Sequence, residues 1–313
     1  MQKTHTTFVS SISIILFALL TMFAVMIVGS QSAHAAQPTV DLGSASPFAI
    51  LSGTPNITDA GNSSVIRGNV GLSPATGAGN GLTCSQVIGT IYSVDAAGPS
   101  PCRITDGPLL LRAKNSLTAA YTDAAGRTPA TTVSTELGGQ TLVAGVYDSA
   151  STRFDITAGA GPLTLDGQGD PSSVFIFESS FEGTGLAVGS ASSIVLENGA
   201  QACNIFWRVN SASINTTANF VGTILALNSI TVANGATIEG RLLARNGNVT
   251  LINDTITAPI CAGNDTADSG DVIPGLPNSG ETTPQYILLG AIVTFLVAIG
   301  FLLAFVTRKW RSL

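Results

Sequence analysis

Between Asn204 and Ile256 the chain repeats itself every eighteen residues. Written in that register, Phe206, Ile224 and Leu242 form one column and Trp207, Leu225 and Leu243 the next. Asn210, Asn228 and Asn246 form a third, Phe220, Ile238 and Ile256 a fourth, and Gly222 matches Gly240. A period of this length marks a repeat architecture, in which each unit buries its apolar side against its neighbour. A helical hairpin could carry the same period. The apolar residues, however, come in short β-branched bursts such as Ile230-Thr231-Val232, bounded by Asn and Gly, which is the pattern of strands. Eighteen residues make one turn of a three-sided parallel β-solenoid, about six residues to a side, with coils about 4.8 Å apart. The bursts Phe154-Asp155-Ile156, Leu163-Thr164-Leu165, Val174–Phe177, Leu186-Ala187-Val188 and Ile194-Val195-Leu196 extend it upstream less regularly. The asparagine column is expected to ladder at a coil corner, where Asn accommodates turn geometry.

One segment has a different period. Asp106 can cap a helix, Pro108 suits its first turn, and Leu109, Leu110, Ala113, Leu117, Ala120, Tyr121 and Ala124 mark one face until Gly126 ends it. The spacing predicts a helix over 106–125. Its length, about 27 Å, equals five or six coils, so it should lie along the solenoid axis and cover one apolar side.

The ends of the 313-residue chain supply an address. Its mean hydropathy of +0.40 comes largely from two apolar blocks, Phe8–Gly29 and Tyr286–Val306. Lys3 precedes the first, and Ser32-Ala33-His34-Ala35-Ala36-Gln37 follows it with the small residues a signal peptidase reads, so 1–35 is expected to be a signal peptide. An uncleaved anchor is the alternative, and either way the domain at 36–261 is exported. Residues 262–285, with Asp265, Asp268 and Asp271 among Gly, Ser, Thr and Pro, read as a solvated stalk, and their spacing is not that of an EF-hand loop. The segment 286–307 is long enough to span a bilayer, and the basic tail 308–313 stays inside.

Composition narrows the chemistry. Of thirteen Lys+Arg, Lys3, Arg308, Lys309 and Arg311 lie outside the middle, which leaves nine basic residues there and no patch for nucleic acid. Both histidines, His5 and His34, fall in the leader, so the processed domain has neither a Ser-His-Asp or Cys-His centre nor a histidine-ligated metal, and no cofactor is expected. Four cysteines in an exported domain favour two disulfides, and no Cys-x-x-Cys spacing supports zinc. Of three possible pairings, Cys84–Cys102 brackets one loop-like insertion and Cys203–Cys261 would hold the final coil of the repeat against fraying.

Several motifs, in order, carry a family resemblance. They are Leu42–Leu51, Gly68–Pro74, the helix with Ala119-Ala120-Tyr121, Leu142–Tyr147 and Asn204-Ile205-Phe206-Trp207. From about Val40 to Ile260 the chain resembles the DUF3494 ice-binding protein family. That resemblance implies a right-handed, discontinuous β-solenoid with a helix alongside, and adsorption to ice through a flat Thr/Ser/Asn face. The tail Leu276-Pro277-Asn278-Ser279-Gly280, followed by a span and basic residues, resembles the sortase sorting signal Leu-Pro-x-Thr-Gly, with Ser279 where threonine is usual. A sortase would join residue 279 to cell-wall peptide; without cleavage the helix remains as a membrane anchor.

A face for ice can be sought in the repeat itself. Residues two apart on a strand point the same way, so the columns flanking Phe220, Ile238 and Ile256 face water. One is Asn219, Thr237, Thr255, and two residues earlier come Thr217, Gly235, Asn253. On another side Ser213 and Thr231 align, with Thr250 one step further, as an alternative face. β-Solenoids also carry polysaccharide lyases and hydrolases, which need paired carboxylates or a basic residue. Asp166 and Asp170 sit in a turn-like context, Glu178 and Glu182 near a coil corner, and Lys114 in the helix without a carboxylate motif. The domain is therefore expected to be non-enzymatic, binding ice or ordered water; a surface adhesin or structural solenoid is the rival reading.

Overall fold

The computed structural model describes residues 37–262. The signal peptide, the stalk beyond Ala262 with Leu276–Gly280, the span and the basic tail lie outside the described residues. Short strands pair in parallel into sheets of thirteen, six and three strands, with one long helix, α1 (Gly107–Ala125). The thirteen-stranded sheet turns a corner, because Asn219–Ala226 and Thr237–Ala244 run continuously from one side of the solenoid to the next. Gly222 sits at this bend with φ +112°, and a Cβ on Gly240 would lie 1.9 Å from Gly222 O, so the stacked glycines are required by close backbone approach.

Along the helix side the strands run Arg103–Thr105, Ile91–Ser93, Asn69–Leu72, Phe48–Ser52, Thr237–Ala244, Asn219–Ala226, Ile205–Val209, Phe175–Glu178, Gly145–Ser149 and Ala130–Val133. The N-terminal coils thus stack beyond the last coil of the repeat, and α1 carries the chain from Thr105 at one end to Ala130 at the other. This is the discontinuity. Asp106 caps α1, its carboxylate accepting from Leu109 N at 2.8 Å, and Gly126 ends it. Leu110, Ala113, Leu117, Ala120, Tyr121 and Ala124 are buried against Phe48, Leu51, Val146, Ile176, Phe206, Leu225 and Leu243. Each fully buried leucine or phenylalanine in this layer is worth about 1.5–3 kcal/mol relative to exposure. Inside the solenoid Tyr147, Phe177 and Trp207 stack in successive coils, Phe177 and Trp207 with centroids 3.9 Å apart.

The expected columns hold from Gly222 onward: Phe220, Ile238 and Ile256 are in register, as are Ile224 and Leu242, and Leu225 and Leu243. Phe206 and Trp207 do not join them as the repeat predicted. Trp207, not Phe206, pairs with Ile224, while Phe206 pairs with Thr223. The coil is one residue shorter here and recovers at the next corner, where Ala212 pairs with Ile230. That single step puts Phe206 outside, under the helix, and Trp207 inside. Asn228 Nδ2 does donate to Asn210 Oδ1 at 2.8 Å, as a corner ladder requires.

Both disulfides pair as expected, Cys84–Cys102 and Cys203–Cys261. The reason given for the second needs correction. The final coil has no free edge to fray, because Thr255–Thr257 pairs with Val65–Arg67 and Thr237–Ala244 with Phe48–Ser52. The bond instead fixes the departing chain to the turn at Ala202–Asn204.

Candidate ice-contact faces

Away from α1 the solenoid presents two sheet faces. The third side of the coil contains Asn219, Thr237 and Thr255 in one exposed, in-register column, continued by Val65. Two residues on, the outward positions are Val221, Glu239, Thr257 and Arg67, with Ile88 54% exposed beyond them. Toward the other end the same side presents Val195, Asp166 and Glu197. Thr217 and Asn253 are exposed but lie at the corner, with φ +56° and +55°, stacked with Gly235 at +77°. Thr217 N donates to Asn234 O at 3.1 Å and Asn253 Nδ2 to Asn234 Oδ1 at 2.8 Å, so this column forms a turn ladder rather than a sheet row.

The six-stranded face is built from Phe154–Ile156, Thr184–Val188, Ser211–Ile214, Ile230–Val232, Val249–Leu251 and Ile57–Asp59. In most of these strands two apolar residues point in and the one between them points out. The outward residues align as Asp155, Ala187, Ser213, Thr231, Thr250 and Thr58. The column is neutral except at its far end, where Arg153 pairs with Asp155. Beside it Ser229 Oγ donates to Asn248 Oδ1 at 2.8 Å, and Asn248 Nδ2 donates to Thr250 Oγ1 at 2.9 Å, which fixes that hydroxyl. The eighteen-residue repeat reaches Ser213, Thr231 and Thr250 but not Thr58. A local echo could have found it, since Asn56-Ile57-Thr58 copies the order of Asn248-Val249-Thr250.

The residues weighed for catalysis are not brought together. Asp166 is occupied by Gln168 N and Asn198 Nδ2, both at 2.8 Å, and Asp170 by Ser172. Lys114 reaches from α1 to the carbonyls of Ala244 and Arg245; burial, with Arg245 nearby, brings it down to about 7. Glu178 lies on the helix side opposite Arg208, where burial pushes it up to about 7 against the attraction of that guanidinium. A shallow cavity of about 470 Å³ lies between the entering and leaving segments, lined among others by Phe206, Arg241 and Ile260, and Asp41 is the sole carboxylate in its lining. A glycosidic bond cut by two carboxylates has no pair here to work with.

Comparison with known proteins agrees with this geometry. The family described as ice-binding-like matches residues 50–257. An ice-binding protein of Colwellia sp is 43% identical over 224 residues, 70% of this chain and 84% of that protein. One from Flavobacterium frigoris (strain PS1) is 42% identical, covering 70% and 76%. Among solved structures, an ice binding protein from an Antarctic Biological Consortium aligns with TM-score 0.61 at 36% identity, covering 72% of this chain and 94% of that one. A second, the ice-binding protein of an Arctic yeast, aligns with TM-score 0.61 at 27% identity, covering 74% and 98%.

Proposed function

The chain belongs to the ice-binding-like family, and on that premise we propose that it is a non-enzymatic protein that adsorbs to ice through the six-stranded face, with Ser213, Thr231 and Thr250 as its central contacts. The in-register row of small neutral side chains carries this reading. Adsorption rests on many weak contacts through ordered water, each of little value unless the others are in phase. Parallel strands about 4.8 Å apart supply the phase, and short hydroxyl and methyl groups keep the surface flat. The side with Asn219, Thr237 and Thr255 offers the same spacing over fewer coils. There Glu239 and Arg67 stand beside the row, and charged groups hold hydration shells that leave ice-like order only at a cost.

Thr231→Tyr should abolish thermal hysteresis or recrystallisation inhibition while leaving the melting temperature close to that of the parent. Thr237→Tyr should retain activity. The reverse pattern would transfer the site to the other side, and an inactive parent would favour an adhesin. We also propose that the domain acts outside the cell, held by its C-terminal segment through Ser279 on wall peptide or through the apolar span. Mass measurement of the mature surface protein separates these two, because a chain still containing Trp310 keeps its span.

A further inference from the structure

We infer that the ice-contacting row continues across the discontinuity onto Thr58, so that the site is assembled from the first coil and the last coil of the domain. This rests on the assignment of the six-stranded face to ice. Thr58 pairs with Thr250 as Thr250 pairs with Thr231, and Ile57 and Leu251 are buried on either side of the join. The row Ser213, Thr231, Thr250, Thr58 then spans about 14 Å at the spacing of parallel strands.

A rung supplied by a distant segment is useful only if it is held in phase, and the structure clamps this one. Asp59, the next residue and 5% exposed, accepts from Ser64 N at 2.9 Å and from Gln86 Nε2 within the N-terminal coils. Its other oxygen accepts from Asn253 N of the last coil at 3.1 Å. Ser64 Oγ in turn accepts from Asp254 N at 2.9 Å. Two backbone donors of the last coil are therefore held by side chains of the first. Beyond Thr58 the chain places Gly81, where a Cβ would lie 3.0 Å from Ile57 O, so no side chain from the next coil rises over the threonine. The row thus ends on Thr58 with its outward surface open.

Variants of the full chain test this, with hysteresis and melting temperature both measured. Thr58→Tyr should reduce hysteresis several-fold, as Thr231→Tyr does, at unchanged melting temperature. Thr58→Val, which keeps the shape and removes the hydroxyl, should reduce it less and guards against misfolding of the tyrosine variant. Val195→Tyr, on the third side, should behave as the parent. Parental activity in both Thr58 variants with an inactive Thr231→Tyr would overturn the inference and leave the face assignment standing. Parental activity in Thr58→Tyr and Thr231→Tyr alike would overturn the face itself.

Discussion

Arg241 Nε donates to the carbonyl of Ser46 at 2.8 Å, across the join between the last coil and the first. Its Nη2 donates to Pro259 O at 3.0 Å, so one side chain ties the entering strand to the departing one. The guanidinium is 9% exposed, and neither ion pair among the described residues includes it. Burial accordingly draws its pKa down to about 10.

Arg241→Met should destabilise the domain by about 2 kcal/mol: two charge-assisted hydrogen bonds are lost, and relief from burying the charge offsets part of that. Denaturant unfolding measures the total. Hydrogen exchange should show Phe48–Ser52 opening faster than Ile205–Val209, and uniform acceleration of both would mean that the arginine stabilises the domain without acting at the join.

Removing Cys203–Cys261 should cost more than removing Cys84–Cys102. Loop closure predicts about 4 kcal/mol for the sequence separation of 58 and about 3 kcal/mol for that of 18. Paired Cys→Ser variants, unfolded under identical conditions, give the two values directly. An inverted order would assign the larger effect to packing around the Cys84 turn.

Stability should fall as pH rises from 5 to about 8. Glu178 moves from an ordinary 4.5 to about 7, and Asp254 from 3.8 to about 6, in each case chiefly by burial. A carboxyl with a raised folded pKa contributes stability that is full below its unfolded value and is lost as pH climbs through the folded one. Lys114 has the opposite dependence: its depressed value means a contribution present above 10.5 and lost as pH falls through about 7. Melting temperatures of the parent should therefore drop between pH 5 and 8 and recover toward pH 10. Glu178→Gln should flatten the first limb and leave the recovery, whereas an unchanged slope would place Glu178 in contact with solvent.

Much of this architecture is legible along the chain. The strand bursts, the capped helix from Asp106 and both cysteine pairs follow from local periodicity and spacing. Phe206 was not legible, because the short coil changes the count by one, and in a strand one residue reverses inside and outside. The row on the six-stranded face was half legible. Ser213, Thr231 and Thr250 share a repeat, but Thr58 becomes their neighbour only when the chain ends meet, which no periodicity within 204–256 encodes.

Because the N-terminal coils rest on the last one, the order of synthesis and the order of stacking disagree. Phe48–Ser52 leaves the ribosome early, yet its partner Thr237–Ala244 is made near the end. Until then one edge of the first coils stays open, with the exposed backbone that invites wrong pairing. The fold is thus closed late, by contacts of high sequence separation, and slow maturation is the expected kinetic signature. A chain truncated before Thr237 would leave those coils without their native support, however complete the remaining coils were.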